Sequence, residues 1–233
     1  MNRVRASTVR DGLSALRPHA QASIVEVNDG ITAAAGVAEG FVSAGASART
    51  LLLAGTAVIL AGGSAVAGVR YTEVRTEWEV NRALLEEERA SIEADPAGEL
   101  EELVGLYEAK GLNPRLARQV AEELTERDPV AAHADAELRL ETLGSRSGAV
   151  PAAVTAGLCY GIGAAVPLAA MSWLPTNDRR LAVTFVVVLV ALCLTGWFAA
   201  WLTGLPVLRL IRRNVLLGGA VMAASILVGL ALN

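Results

Sequence analysis

The chain has 233 residues, of which 53% are hydrophobic and 19% charged, and its mean hydropathy is +0.45, which excludes an ordinary soluble domain and marks an integral membrane protein. The net charge of −4 conceals a segregation: residues 71–148 hold 19 Asp and Glu against 9 Lys and Arg, whereas the rest of the chain holds 5 against 11. A basic surface of the kind that neutralises phosphates is missing, so no nucleic-acid partner is expected.

Crossing a hydrocarbon core about 30 Å thick takes about 20 largely apolar residues in a helix. Five stretches are long enough, near 22–44, 50–69, 150–174, 181–202 and 215–232. The fourth and fifth contain no charge, whereas the first contains Glu26, Asp29 and Glu39. A carboxylate at mid-membrane depth costs roughly 3 kcal/mol unless it faces protein or water, so these three are functional candidates by default. The first stretch starts late and carries acids, which does not fit a cleaved signal peptide. Arg3, Arg5, Arg10 and Arg17 precede the first span and Arg209, Arg212 and Arg213 lie between the fourth and fifth, while the alternate loops hold only Arg49, Arg179 and Arg180. The positive-inside bias then puts the N-terminus and the insert in the cytoplasm and the C-terminus outside. The expected organisation is a cytoplasmic N-terminal segment at 1–21, transmembrane helices 1 and 2 within 22–70, an acidic cytoplasmic helical insert at 71–148 and transmembrane helices 3 to 5 within 149–233.

Residues 70–94 contain neither Gly nor Pro and are mostly good helix formers, so the second span is expected to continue as one helical stalk. Asp95-Pro96, Asn113-Pro114 and Asp128-Pro129 each read as an N-cap followed by Pro at the first helical position, which starts helices at about 97–110, 114–127 and 129–143. Gly111 supplies a C-terminal stop, and residues 144–148 form the linker back to the membrane. Such short helices make a small hairpin stack with a limited core, so self-association is expected.

The insert gathers the ligand chemistry. Glu86, Glu87 and Glu88 lie on the stalk, Glu99, Glu101 and Glu102 on the next helix, and His133, Asp135 and Glu137 on the last. Glu99 and Glu102 are spaced i,i+3 and His133 and Glu137 i,i+4, so each pair shares a helix face and can direct two ligands at one ion. Carboxylates with a single imidazole suit Mn²⁺, Fe²⁺ or Zn²⁺, and an all-oxygen subset suits Ca²⁺ or Mg²⁺; the alternative is a solvated acidic face. On the first span, Glu26 and Asp29 are again i,i+3, with a headgroup-level Glu26 and a capping or Arg-paired Asp29 as the alternative. Glu39, about 80° further around the helix, is expected at an exit vestibule or the membrane interface. Gly36/Gly40 and Gly157/Gly161 form small ridges suited to close helix packing. Cys159 and Cys193 lie in apolar runs and read as small buried hydrophobes. A nucleophile with its base, a phosphate loop and an HExxH helix are all missing, so no enzyme activity is expected.

Asn28-Asp29-Gly30 at the first span, the uninterrupted second span with its acidic stalk, Ala94-Asp-Pro-Ala-Gly-Glu-Leu-Glu-Glu-Leu-Val-Gly-Leu-Tyr-Glu-Ala-Lys-Gly-Leu112, Val120-Ala-Glu-Glu-Leu-Thr-Glu-Arg-Asp128 and Gly163-Ala-Ala-Val-Pro-Leu168 together resemble the vacuolar iron transporter (VIT) family. The resemblance runs from about residue 20 over nearly the whole chain and implies an all-α, five-span homodimer. In that family the path lies between the two first spans, the helical insert binds divalent metal, and Fe²⁺ or Mn²⁺ leaves the cytosol against protons. Carried onto this chain, Glu88, Glu99, Glu102 and Glu137 stand where the family's insert glutamates do. Ser91 replaces one stalk Glu, and His133 with Ala134 replaces a Met pair. Asp29 matches the first-span acid. The family's second-span ligands are replaced by Val58 or Gly62, Val66 and Arg70, and Arg70 adds a positive charge near the cytoplasmic mouth unless it pairs with Glu26 or Glu73.

The expected function is therefore export of a divalent metal from the cytosol, in the plasma membrane. The metal would be Fe²⁺, Mn²⁺ or Zn²⁺, captured by Glu88, Glu99, Glu102, His133 and Glu137 and passed along a path of Glu26, Asp29 and Arg70 in exchange for protons. The rival expectation is a transport-deficient relative acting as a membrane-anchored metal sensor, buffer or interaction protein.

Overall fold

The structure, a computed structural model, describes residues 2–137, 148–172 and 177–232, with side chains from Ala20 onwards except those of Asn177, Asp178 and Arg180. Among the described residues eight helices follow one another: α1 Asn2–Ser43, α2 Ala48–Ala94, α3 Pro96–Ala109, α4 Pro114–Arg127, α5 Pro129–Ala136, α6 Ala149–Ser172, α7 Asn177–Thr203 and α8 Val207–Ala231. The described residues contain no strand, and the protein is all-α. Four helices, α2, α6, α7 and α8, are long and apolar enough to cross a membrane. α1, with Glu26, Asp29 and Glu39, is not among those four.

α1 starts at Asn2, ahead of the apolar stretch near 22–44, because the Arg- and Ala-rich N-terminal segment propagates a helix without being apolar. α8 starts at Val207, so Arg209, Arg212 and Arg213 occupy its first turns and not a loop; Pro206, at φ −59°, sets its beginning. α5 is described to Ala136, with Glu137 as its C-cap. The rest of the expected 129–143 helix, and the linker up to residue 147, lie outside the described residues.

The chain divides into two compact units, Met1–Tyr71 with Val150–Asn233, and Thr72–Ala149; α2 contributes to both. In the first unit α1 packs against α7 and α8. Ile31 and Ala35 meet Val188, Leu192 and Met222, all buried. The Thr195 hydroxyl donates to Asn28 Oδ1 at 2.6 Å. Lipid tails are as apolar as leucine, so close approach of backbones matters more here than hydrophobic burial. α1 and α6 use that device reciprocally: a Cβ on Gly30 would strike the Tyr160 carbonyl, and one on Gly163 would strike the Val27 carbonyl. The Gly36/Gly40 ridge packs on Val221 and Ser225 of α8, and Gly157 packs on Gly63 of α2, while Gly161 has only ordinary contact with Ile59.

The second unit is built by caps and a small core. Asp95 accepts from the Gly98 N–H, Asn113 from Leu116 and Asp128 from Ala131, each before a helix that opens on Pro, as the sequence grammar requires. Gly111, at φ +100°, turns the chain after α3 in a conformation that side chains resist. Leu103 and Val104 of α3 pack against Ala117 and Ala121 of α4 and Ala132 and Ala136 of α5. On the stalk, Arg75 pairs with Glu79 and Arg82 with Glu86, both i,i+4, and both guanidinium groups stack over Trp78 at 5.3 and 5.5 Å.

Candidate metal centre

Core packing of the insert positions the ligands. Glu99 lies one helical turn before the fully buried Leu103, and His133 lies beside Ala132 in the same core, so seating these apolar side chains brings α3 and α5 together at their polar edge. Asp95 alone separates α2 from α3, which brings Glu88 of the stalk to the same edge.

There Glu88, Glu99 and His133 each offer one ligand atom within 4.8 Å of the others. His133 is 1% exposed and Glu88 11%. The His133 Nδ1 lies 2.9 Å from Oε1 of Glu88 and 3.9 Å from both Oε2 of Glu99 and Oε2 of Glu137. The 2.9 Å approach is an ion-pair distance but not an aligned hydrogen bond: both atoms are buried and neither has a hydrogen-bond partner. Two orphaned atoms that converge in this way suit a shared cation. Bonds of about 2.1 Å place neighbouring ligand atoms roughly 3.0 to 3.4 Å apart, so Glu88 and His133 already match and Glu99 and Glu137 need only a small side-chain shift. Burial pushes the Glu88 carboxyl above its ordinary value of 4.5; His133 opposes that rise, and Glu137, Glu99 and Glu102 add to it.

Of the five residues expected from sequence, three form the tight cluster and Glu137 stands at its rim. Glu102 is exposed and acts on Glu88 through its charge. Its neighbour Glu101 is engaged elsewhere: both its oxygens accept from Arg118 of α4 at 2.6 Å.

In the membrane unit Asp29 is exposed on α1, and Glu26 and Arg70 are half-buried, each with interaction partners. Glu39, expected at an exit vestibule or the membrane interface, is closed off from solvent. It is fully buried within the helix pack, and both carboxylate oxygens lack hydrogen bonds. Its chain neighbours Ala38 and Val42 pack with Leu51, Met171 and Leu181 in one buried cluster, so this stretch of α1 lies inside the helix pack, which the spacing on α1 does not reveal. The Thr184 hydroxyl of α7 is buried and unbonded as well. Val58 and Val66 of α2 pack with Tyr160, and a Cβ on Gly62 would strike the Tyr160 phenol. Tyr160, absent from the sequence reading, therefore occupies the space beside Val58, Gly62 and Val66. Its only signal was a large aromatic in a span of small residues, opposite a glycine.

Fold and site together describe a helical membrane protein with an acidic insert that converges carboxylates and an imidazole on one point. The VIT family's sequence profile matches residues 20–230, and the chain belongs to the VIT family. A vacuolar iron transporter of Acanthamoeba castellanii is 30% identical over 209 residues, covering 90% of this chain and 77% of that protein. Vacuolar iron transporter 2 of Oryza sativa is 30% identical over 183 residues, covering 78% and 74%. Vacuolar iron transporter 1 of Arabidopsis thaliana is 27% identical over 206 residues, covering 87% and 81%. Members of this family are transporters and not enzymes.

Proposed function

We propose that the protein transports divalent metal, Fe²⁺ or Mn²⁺, out of the cytosol in exchange for protons, as a homodimer in the plasma membrane. In this reading α1 is the fifth span, the N-terminus and the insert are cytoplasmic as the arginine distribution favours, and the relatives' names supply iron as the first substrate to test. The observation that carries it is the convergence of Glu88, Glu99 and His133, with Glu137 at the rim, on one point of the insert. The insert captures the ion, and Glu26 and Asp29 accept it at the mouth of the path, with Glu102 raising the local negative potential. Imidazole in place of thioether makes the capture site harder and retains affinity for first-row divalent ions, Zn²⁺ included.

The packing of Val58, Gly62 and Val66 against Tyr160 favours a second reading, a transport-deficient relative that senses, buffers or scaffolds. Both readings require metal at the insert. Thermal unfolding of the full chain in detergent tests that requirement: Mn²⁺ at a hundredfold excess over its Kd should stabilise the insert by about 2.7 kcal/mol. The double substitution Glu99→Gln with His133→Ala should remove most of that shift, and equal shifts in both proteins would reduce the cluster to a solvated acidic face.

A further inference from the structure

α1, α7 and α8 enclose a cleft of about 220 Å³ beside the α7–α8 connection. Its polar lining among the described residues is Gln21, Asn28, Thr203, Arg209, Arg213 and Asn214, with no carboxylate. Arg209 and Arg213 are one turn apart on α8, share a face, and have no ion pair among the described residues. Asn214 is only 9% exposed, yet no hydrogen bond to its amide is found among the described residues. Asn28 already spends its oxygen on Thr195, which leaves its NH₂ as the remaining group. No side chain caps the N-terminus of α8, and Leu205 and Arg209, on either side of Pro206, both line the cleft. Two guanidinium groups and a largely buried amide that share a cleft without a carboxylate among the described residues suit an anion. Ile24, Val25, Leu205 and Leu210 supply an apolar wall beside these donors, which a free inorganic anion would not use.

We propose that this cleft binds the phosphate-bearing headgroup of an anionic phospholipid, with Arg209, Arg213 and Asn214 as donors and an acyl chain along the apolar wall. Two guanidinium groups can grip a phosphate through paired hydrogen bonds, and anionic lipid at a membrane surface is the abundant source of such a group. The site is independent of which ion the protein carries and of whether it carries one.

The test uses the purified full-length protein in detergent, titrated with phosphatidylglycerol, with phosphatidylcholine or with inorganic phosphate, and read by thermal unfolding and by lipid retention in native mass spectrometry. Phosphatidylglycerol should raise the melting temperature and remain bound, whereas phosphatidylcholine should do neither. Arg209→Gln with Arg213→Gln should abolish the effect, while Arg212→Gln, outside the cleft, should preserve it. Should loss of two positive charges disturb insertion, Arg209→Lys with Arg213→Lys keeps the charge but not the paired donors, and retention should fall roughly tenfold. Equal retention of both lipids, an unchanged response in the Lys double variant, or full displacement of phosphatidylglycerol by inorganic phosphate would overturn the lipid site.

Discussion

Glu88 places a carboxylate where burial and neighbouring charge disfavour its ionised form and where a cation would favour it. Because its carboxyl is raised above the ordinary value of 4.5 in the folded chain, the unfolded chain gives up this proton first as pH rises. The metal-free insert should therefore be most stable at or below that ordinary value and lose stability as pH climbs through the raised one. With Mn²⁺ present the order reverses, since the ion binds the ionised form and protons compete with it. Unfolding of the full chain between about pH 4 and 8, in chelator and in Mn²⁺, measures both slopes, and Glu88→Gln should flatten them. An identical pH dependence in wild type and Glu88→Gln would remove Glu88 from the centre. Glu99 with Glu102 and His133 with Glu137 were legible as pairs at helical spacings and Glu88 only through the family resemblance, but the engagement of Glu101 was not legible. Arg118, seventeen residues beyond Glu101, takes Glu101 away, and only packing of α3 on α4 brings those two together.

Between elements, the crossing of α1 and α6 gives Asn28-Asp29-Gly30 and Gly163 a physical meaning. Each glycine lies against the other helix's backbone carbonyl, so α1 and α6 touch main chain to main chain just where α1 presents Asp29. Gly30→Ala should force the helices apart and destabilise the membrane unit by roughly 1 to 3 kcal/mol, read as a lower melting temperature in detergent. Gly161→Ala, with only a 3.7 Å contact to Ile59 in its way, should be nearly neutral. Equal effects of the two substitutions would contradict the crossing. The helical grammar of the insert was readable because N-caps and prolines act within four residues of themselves: Asp95, Asn113 and Asp128 all do what their sequence context demands. The start of α8 was not readable from apolarity, because a helix can begin on charged turns before its apolar stretch. The enclosure of Glu39 and the placing of Tyr160 against Gly62 were hidden for a different reason, since both depend on which helices become neighbours.

At the scale of the whole molecule, an acidic insert that converges ligands is joined by α2 to a membrane unit whose α1 carries Glu26, Asp29 and Glu39 along its apolar stretch. Of these, Glu26 and Asp29 are the residues proposed to receive the ion, and Glu39 is sealed within the helix pack. The second span contributes packing at Val58, Gly62 and Val66, so in the proposed transporter reading the burden of offsetting an ion's lost hydration falls on α1. Asp29→Asn keeps the shape and removes the charge, and it separates binding from transport because the insert is untouched. The deciding measurement is therefore metal and proton flux in proteoliposomes, run with Fe²⁺ and with Mn²⁺ beside a pH-sensitive dye, for wild type, Asp29→Asn and Arg70→Glu. Metal movement coupled to opposite proton movement in wild type, nearly abolished in Asp29→Asn while the insert still binds Mn²⁺, is the predicted result. No flux in wild type or in Arg70→Glu, from protein shown to be folded and metal-binding, would contradict transport and leave the sensor or scaffold reading in its place.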